Sequence, residues 1–423
     1  MSPLLRRIPV LMSLLLAVNA SAQFCPFDAG DTVRKIVACK PGTTTAECRA
    51  LASKVGCSVV RELPSINAIV IELPAFRSEN AVAKLMKTPA VDLVETDKPL
   101  NWLKAVTVPA AVPAAMPATG LGWTDDVAGI VDRIRNLRPK APETAGPRAA
   151  DPEQPWGIRR VDAEAAWKSP SLEGEGVDVA VIDTGIKASH PDLAGAVAGG
   201  FNALDPKNPG AWDDDQGHGS HVAGTIAARR DGKGVVGVAP RVRLWAVKVL
   251  DAEGNGGFSD VIAGIEWAAA KGIKVANMSL GADEGSEALA RAVTAASKKG
   301  LLIVAAAGNS GAMTGFPARY PEAVSVAASD SADAVADFSS RGKVEFIAPG
   351  VKIKSVNKDG GWMELDGTSM ATPHVAGLAA LAVARGASSP AAIRKMLTEA
   401  ATPLRGLDAT VQGRGMIDAG KLR

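Results

Sequence analysis

Gly367-Thr368-Ser369-Met370-Ala371-Thr372-Pro373-His374-Val375-Ala376-Gly377 is the stretch from which the rest of the chain can be read. Apolar and small residues continue from Val375 through Leu378 and Leu381 to Val383, and Gly386 ends the run, so a buried helix is expected over Thr372–Arg385. Pro373 is tolerated in the first turn of a helix, whose N–H groups have no intrahelical partner. Ser369 then stands at or just before that turn, where free N–H groups and the positive end of the helix dipole favour a developing anion. Its small neighbours allow another backbone to approach closely. Taken alone, Ser369 or Thr368 reads as a helix N-cap. Three other positions argue for more.

Asp183 ends the apolar run Val179-Ala180-Val181-Ile182, and a carboxylate there is costly to bury unless it is paired. In isolation it would be an Asx turn before Thr184-Gly185. His218, in Gly217-His218-Gly219-Ser220-His221, opens a small-residue helix and is the residue type that serves as a base near neutral pH. His221 follows at helical spacing, but a metal pair lacks the Glu of H-E-x-x-H. Asn309, in Ala307-Gly308-Asn309-Ser310, ends another apolar run and carries an amide donor. Asp, His and Ser in this chain order form one of the known serine-protease triads. No G-x-S-x-G elbow is present, which argues against an α/β-hydrolase.

On these motifs the chain resembles the subtilisin-like serine proteases from roughly Pro155 to Leu422. The resemblance implies a triad of Asp183, His218 and Ser369, with Asn309 as the donor to the oxyanion and His221 in packing. It implies that Gly254-Asn255-Gly256-Gly257-Phe258 and Asn277-Met278-Ser279-Leu280-Gly281 are edges that pair with an extended peptide, which reads backbone and favours broad specificity. Phe258 and Leu280 would line an apolar pocket a few residues before the scissile bond. Gly308, Gly315 and Ser279, Leu280 and Gly281 would form the primary pocket, open at Gly315 and without an acid, which suits large apolar side chains. Asp192 matches a family calcium ligand, and Asp231 lies in a loop, 229–235, of calcium-loop length. Two Arg and a Lys crowd that loop, and only Gln154 loosely matches the remaining ligand. The chemistry needs no cofactor; calcium would be structural.

The 423 residues are 47% apolar and 22% charged, with a formal net charge of +2, which leaves no electrostatic footprint for nucleic acid. Residues 1–22 have Arg6 and Arg7, an apolar run Ile8–Val18 and Ala20-Ser21-Ala22, the layout of a secretion signal too short to anchor in a membrane. Secretion, extracellular or periplasmic, follows, and a monomer is expected. Cys25, Cys39, Cys48 and Cys57 all precede the catalytic part. Two bridges in any of three connectivities suit an oxidising compartment. Cys48–Cys57 is disfavoured, because a helix over 44–55 would separate them by roughly 13 Å.

Residues 31–100 alternate strand, helix, strand, strand, helix, strand, the ferredoxin-like order. Together with Ser65-Ile66-Asn67-Ala68-Ile69 and Val91–Asp97, this resembles the family's pro-region, which implies an intramolecular inhibitor with its tail in the cleft. The expected organisation is signal peptide 1–22, inhibitory pro-domain 23–104, Ala/Pro-rich linker 105–153 and catalytic domain 154–423. Within the linker, Val127, Ile130, Val131, Ile134 and Leu137 repeat at helical spacing. From Pro155, short apolar runs at Val177–Ile182, Leu244–Val249, Lys274–Ser279, Leu301–Ala306 and Val324–Ala327 alternate with helical patterns. The expected fold is α/β, a mostly parallel central sheet with helices on both faces, preceded by a small α+β domain. Two functions follow: a secreted serine endopeptidase made as a zymogen and acting on proteins or peptides, or a catalytically silent binding or assembly protein on the same fold.

Overall fold

A computed structural model describes residues 31–104, 153–168 and 172–422. The leader, Cys25 and the helical pattern at 127–137 lie outside them.

The N-terminal unit builds a four-stranded antiparallel sheet from β1 (Thr32–Cys39), β2 (Ser58–Leu63), β3 (Ala68–Pro74) and β4 (Val91–Thr96), in the order β2-β3-β1-β4. Helices Thr45–Lys54 and Ser78–Met86 sit where the ferredoxin-like pattern places them. Thr44 and Glu47 close a capping box on the first. Alternation along β1 and β3 sends side chains to opposite faces. Val37, Cys39, Ile69, Ile71 and Leu73 pack on the unit's own helices, whereas Ile36, Ala38, Ala68 and Val70 pack into the core of the larger domain. The apolar run of β3 therefore reads as continuous because both faces are covered. Cys39 is bonded to Cys48, which removes the disfavoured Cys48–Cys57 pairing.

The larger unit has seven parallel strands: β6 (Asp178–Asp183), β7 (Val197–Asn202), β8 (Arg243–Lys248), β10 (Val275–Met278), β11 (Leu302–Ala306), β12 (Val324–Ser329) and β13 (Phe346–Pro349). Their order is β13-β12-β11-β10-β6-β8-β7. Val179 and Val181 of β6 face a core shared with helices His218–Ala227 and Thr368–Ala384. Ala180 and Ile182 face the opposite core, shared with helices Phe258–Ala270 and Glu287–Lys298 and with the N-terminal unit. From β6 the chain runs to the edge strand β7, returns to β8 beside β6, then crosses to β10 and builds outward on the other side, so the topological switch lies between β6 and β10, where ligands bind in open parallel sheets. Asp183 ends β6 and Ser279 follows β10.

The helix carrying Ser369 starts earlier than its pattern predicts, at Thr368 rather than Thr372, which puts Pro373 in the helix interior. A proline there leaves the carbonyl four residues back without its amide. That carbonyl belongs to Ser369, and the Ser279 hydroxyl donates to it at 2.7 Å. A long-range partner replaces the missing local one.

Candidate active site

Asp183, at the end of the central strand, accepts from Nδ1 of His218 at 2.9 and 3.0 Å, and both side chains are buried. The Thr184 N–H donates to the same carboxylate at 2.8 Å. With Nδ1 carrying the proton, Nε2 is the basic nitrogen, and this buried atom has no partner among the described residues. The Thr184 hydroxyl accepts from Gly219 N–H and donates to Asp214. Asp214 in turn accepts from the N–H groups of Gln216, Gly217 and Ser220. Gly219 itself cannot be another residue, since a Cβ would fall 2.1 Å from the Gly185 carbonyl oxygen.

Ser369, in the first turn of its helix, donates its hydroxyl to the Ser279 carbonyl at 3.0 Å. Asn309 offers its side-chain oxygen to Thr368, accepting from the N–H and the hydroxyl at 2.9 Å each. That fixes the amide so that Nδ2 points elsewhere, and this buried donor has no partner among the described residues. Leaving such a donor unpaired costs about 1–3 kcal/mol. His218 Nε2 and Asn309 Nδ2 are thus both left free to meet a further group.

The expected substrate edges are occupied by the chain itself. β5 (Pro99–Asn101) pairs antiparallel with β9 (Asn255–Gly257), with Leu100 opposite Gly256. Trp102 N–H donates to Gly254, and the Trp102 carbonyl accepts from Gly281 N–H, both at 3.0 Å. The indole is fully buried, edge-on to Phe258 with centroids 5.3 Å apart, donates Nε1–H to the Gly256 carbonyl at 2.8 Å, and shares an apolar cluster with Leu280. Beyond it, Lys104 lines one groove with Gly281 and Asn309. The Gly308–Gly315 region is drawn together by Gly315 N–H to Ala307 and by reciprocal backbone bonds between Ala282 and Phe316. Glu95 and Asp97 hold the docked tail by accepting from the N-terminal amides of two helices, Glu287 and Ala288 for the first and Ser259 for the second. Burial pushes the Asp97 carboxyl up, against the hydrogen bonds from Ser259.

The residues expected to hold calcium do not fit that role. Asp192 Oδ2 accepts from Val235 N–H at 2.9 Å and from Trp362 Nε1–H at 2.7 Å. Asp231 turns back onto Lys233 N–H. A cation needs those oxygen lone pairs. Gln154 contributes a backbone carbonyl, but to Arg159.

Two further histidines are buried in the surroundings. His221 donates to the Ile353 carbonyl, and burial lowers it to about 3; His374 donates to Met370, and burial lowers it to about 4. An unfolded histidine titrates near 6.5, so the unfolded chain takes up protons first as the pH drops. Stability contributed by the two neutral rings is fully present above pH 6.5 and is lost progressively as the pH falls, down to about 4 for His374 and about 3 for His221. Denaturant unfolding of inactivated protein should show this decline, by up to a few kcal/mol, and His374→Gln should flatten it.

Of the residues that orient the site, Asp214 and Trp102 carry no reading from the sequence, Thr368 reads only as a helix cap, and Thr184 only as the residue after an Asx turn. Asp213-Asp214-Asp215 immediately before the histidine motif was the one available signal.

Comparison with known proteins gives two family matches: the subtilase family over residues 174–416 and the fervidolysin N-terminal prodomain over 36–97. Subtilisin BL of Lederbergia lenta is 47% identical over 268 residues, covering 63% of this chain and 97% of the relative. M-protease of Shouchella clausii is 47% identical over 268 residues, covering 63% and 68%. The thermostable alkaline protease of Halalkalibacterium halodurans is 44% identical over 270 residues, covering 63% and 73%.

Proposed function

The chain belongs to the subtilase family of serine endopeptidases, and on that footing we propose that Asp183, His218 and Ser369 form its triad, with Asn309 as oxyanion donor. The observations that carry this reading are the oriented imidazole, Nδ1–H on Asp183 and Nε2 open, and the orphaned Nδ2 of Asn309, whose Oδ1 is fixed on Thr368 next to Ser369. A turn of the Ser369 side chain from the Ser279 carbonyl to His218 Nε2 readies the hydroxyl. Its oxygen attacks the peptide carbonyl while Nε2 takes the proton, and His218 then passes that proton to the leaving amine. Water hydrolyses the acyl-enzyme by the same route in reverse. The oxyanion is held by Asn309 Nδ2–H and the Ser369 N–H. No cofactor is required for these steps.

The tail at 99–104 lies along the path of a substrate strand, which supports inhibition by residues 23–104 until cleavage, with 105–153 as linker and 154–423 as the catalytic domain. The leader 1–22 directs export to the extracellular space or periplasm. Backbone pairing along both edges favours broad specificity, with large apolar side chains preferred in the primary pocket; strict cleavage after Lys or Arg in a peptide library would refute this.

The testing experiment is a fluorophosphonate probe, which labels Ser369 in an enzyme and leaves a silent binding protein unmarked. Asn309→Leu should lower kcat by roughly 10²–10³ with KM little changed, a loss known from the matching donor of subtilisin itself. An unchanged kcat removes Asn309 from the oxyanion site.

A further inference from the structure

We infer that this protease is held together without calcium, its own N–H donors and cations occupying the oxygen atoms that a metal would need. The 229–235 loop is the clearest case. Asp192 Oδ2 receives Val235 N–H and Trp362 Nε1–H. Gly234, at φ +61°, sits so tightly on this carboxylate that a Cβ would lie 2.3 Å from Oδ2. A calcium ion bound through Oδ2, at the usual distance of about 2.3–2.6 Å and in a set of about six to eight oxygens, would have to displace both donors and lift Gly234 off the carboxylate.

The other side of the loop is closed by protein as well. Glu153 is buried and accepts from the N–H groups of Asp231 and Gly232 at 2.9 and 3.1 Å. The Arg229 guanidinium donates to the carbonyls of Ala194, Gly195 and Pro240, three oxygens gathered on one planar cation. Among the described residues no three His, Cys, Asp or Glu side chains come together in a metal-binding group.

A separate place repeats the arrangement. Lys343 Nζ donates to the carbonyls of Ala318, Tyr320 and Ala323, the first two at 2.8 and 3.0 Å. Three backbone oxygens converging on one half-buried ammonium, in the turn that follows Gly315, form a cation cage whose cation is covalently tethered.

The test uses the full chain as Ser369→Ala, which prevents self-digestion, and follows thermal unfolding in excess calcium chloride and in excess EDTA at matched ionic strength. The expected unfolding temperatures agree within about 1 °C, whereas a calcium ion present at a hundredfold over its Kd would raise the value by about 5 °C or more. Trp362→Phe keeps the ring and removes the donor to Asp192; it should lower the unfolding temperature by about 2–6 °C, equally in both media. Glu153→Gln, at the other side of the loop, should do the same by a smaller amount. A calcium-dependent rise in the parent, saturable calcium binding by equilibrium dialysis, or a Trp362→Phe protein as stable as its parent would each overturn the inference.

Discussion

Ser369→Ala is expected to abolish peptide hydrolysis and fluorophosphonate labelling together, and to leave the full-length chain uncleaved with residues 99–104 still along the substrate edges. The hydroxyl is the sole atom removed. Its present acceptor, the Ser279 carbonyl, lies beside the switch point of the sheet, and the Ser369 carbonyl keeps its bond from the Ser279 hydroxyl, so the fold is retained. The drop in kcat for the equivalent change in subtilisin is about 10⁶-fold, a magnitude that belongs to that enzyme and sets the scale here. His218→Ala should fall to a similar level, since nucleophile and base act as a unit and their losses do not add. An alanine variant that still labels, or still matures, would place the nucleophile elsewhere.

The second large effect concerns inhibition. Trp102→Ala in the separate pro-domain should weaken its inhibition of the mature enzyme by roughly 10²–10⁴-fold, from the ~3–5 kcal/mol that truncation of a buried Trp costs. The mutant tail keeps its backbone bonds to Gly254 and Gly281 but loses the contact with Phe258 and the indole bond to Gly256. Met86, exposed on the far helix, supplies the control: Met86→Ala should leave inhibition unchanged. A Trp102→Ala pro-domain that inhibits within threefold of wild type would show that the contacts of Glu95, Asp97 and Arg61 with the enzyme dominate.

Much of this was legible in the amino-acid sequence. Strand runs such as Val179–Asp183 and Leu302–Ala306 announce themselves by continuous apolar character, because a parallel strand is buried on both faces. The alternation of those runs with helical patterns specifies the layered sheet, and the motifs around Asp183, His218, Asn309 and Ser369 each carry their own local signals. The ferredoxin-like order of residues 31–100 was equally plain, since its turns and periodicities are encoded within a few residues.

What only the tertiary structure decided are partnerships across long separations. Pro373 reads as a first-turn residue until Ser279, 90 positions before Ser369, supplies the Ser369 carbonyl with the donor that lets the helix begin at Thr368. Asp192 reads as a calcium ligand until Trp362, 170 positions away, places an indole N–H on it. Trp102, at the end of the expected pro-domain, carries no signal of its own until Phe258 and Gly256 enclose it. Periodicity and capping record which neighbours a residue has along the chain; which distant donor satisfies a buried acceptor depends on how the sheets and helices close on one another, and no local pattern carries that information.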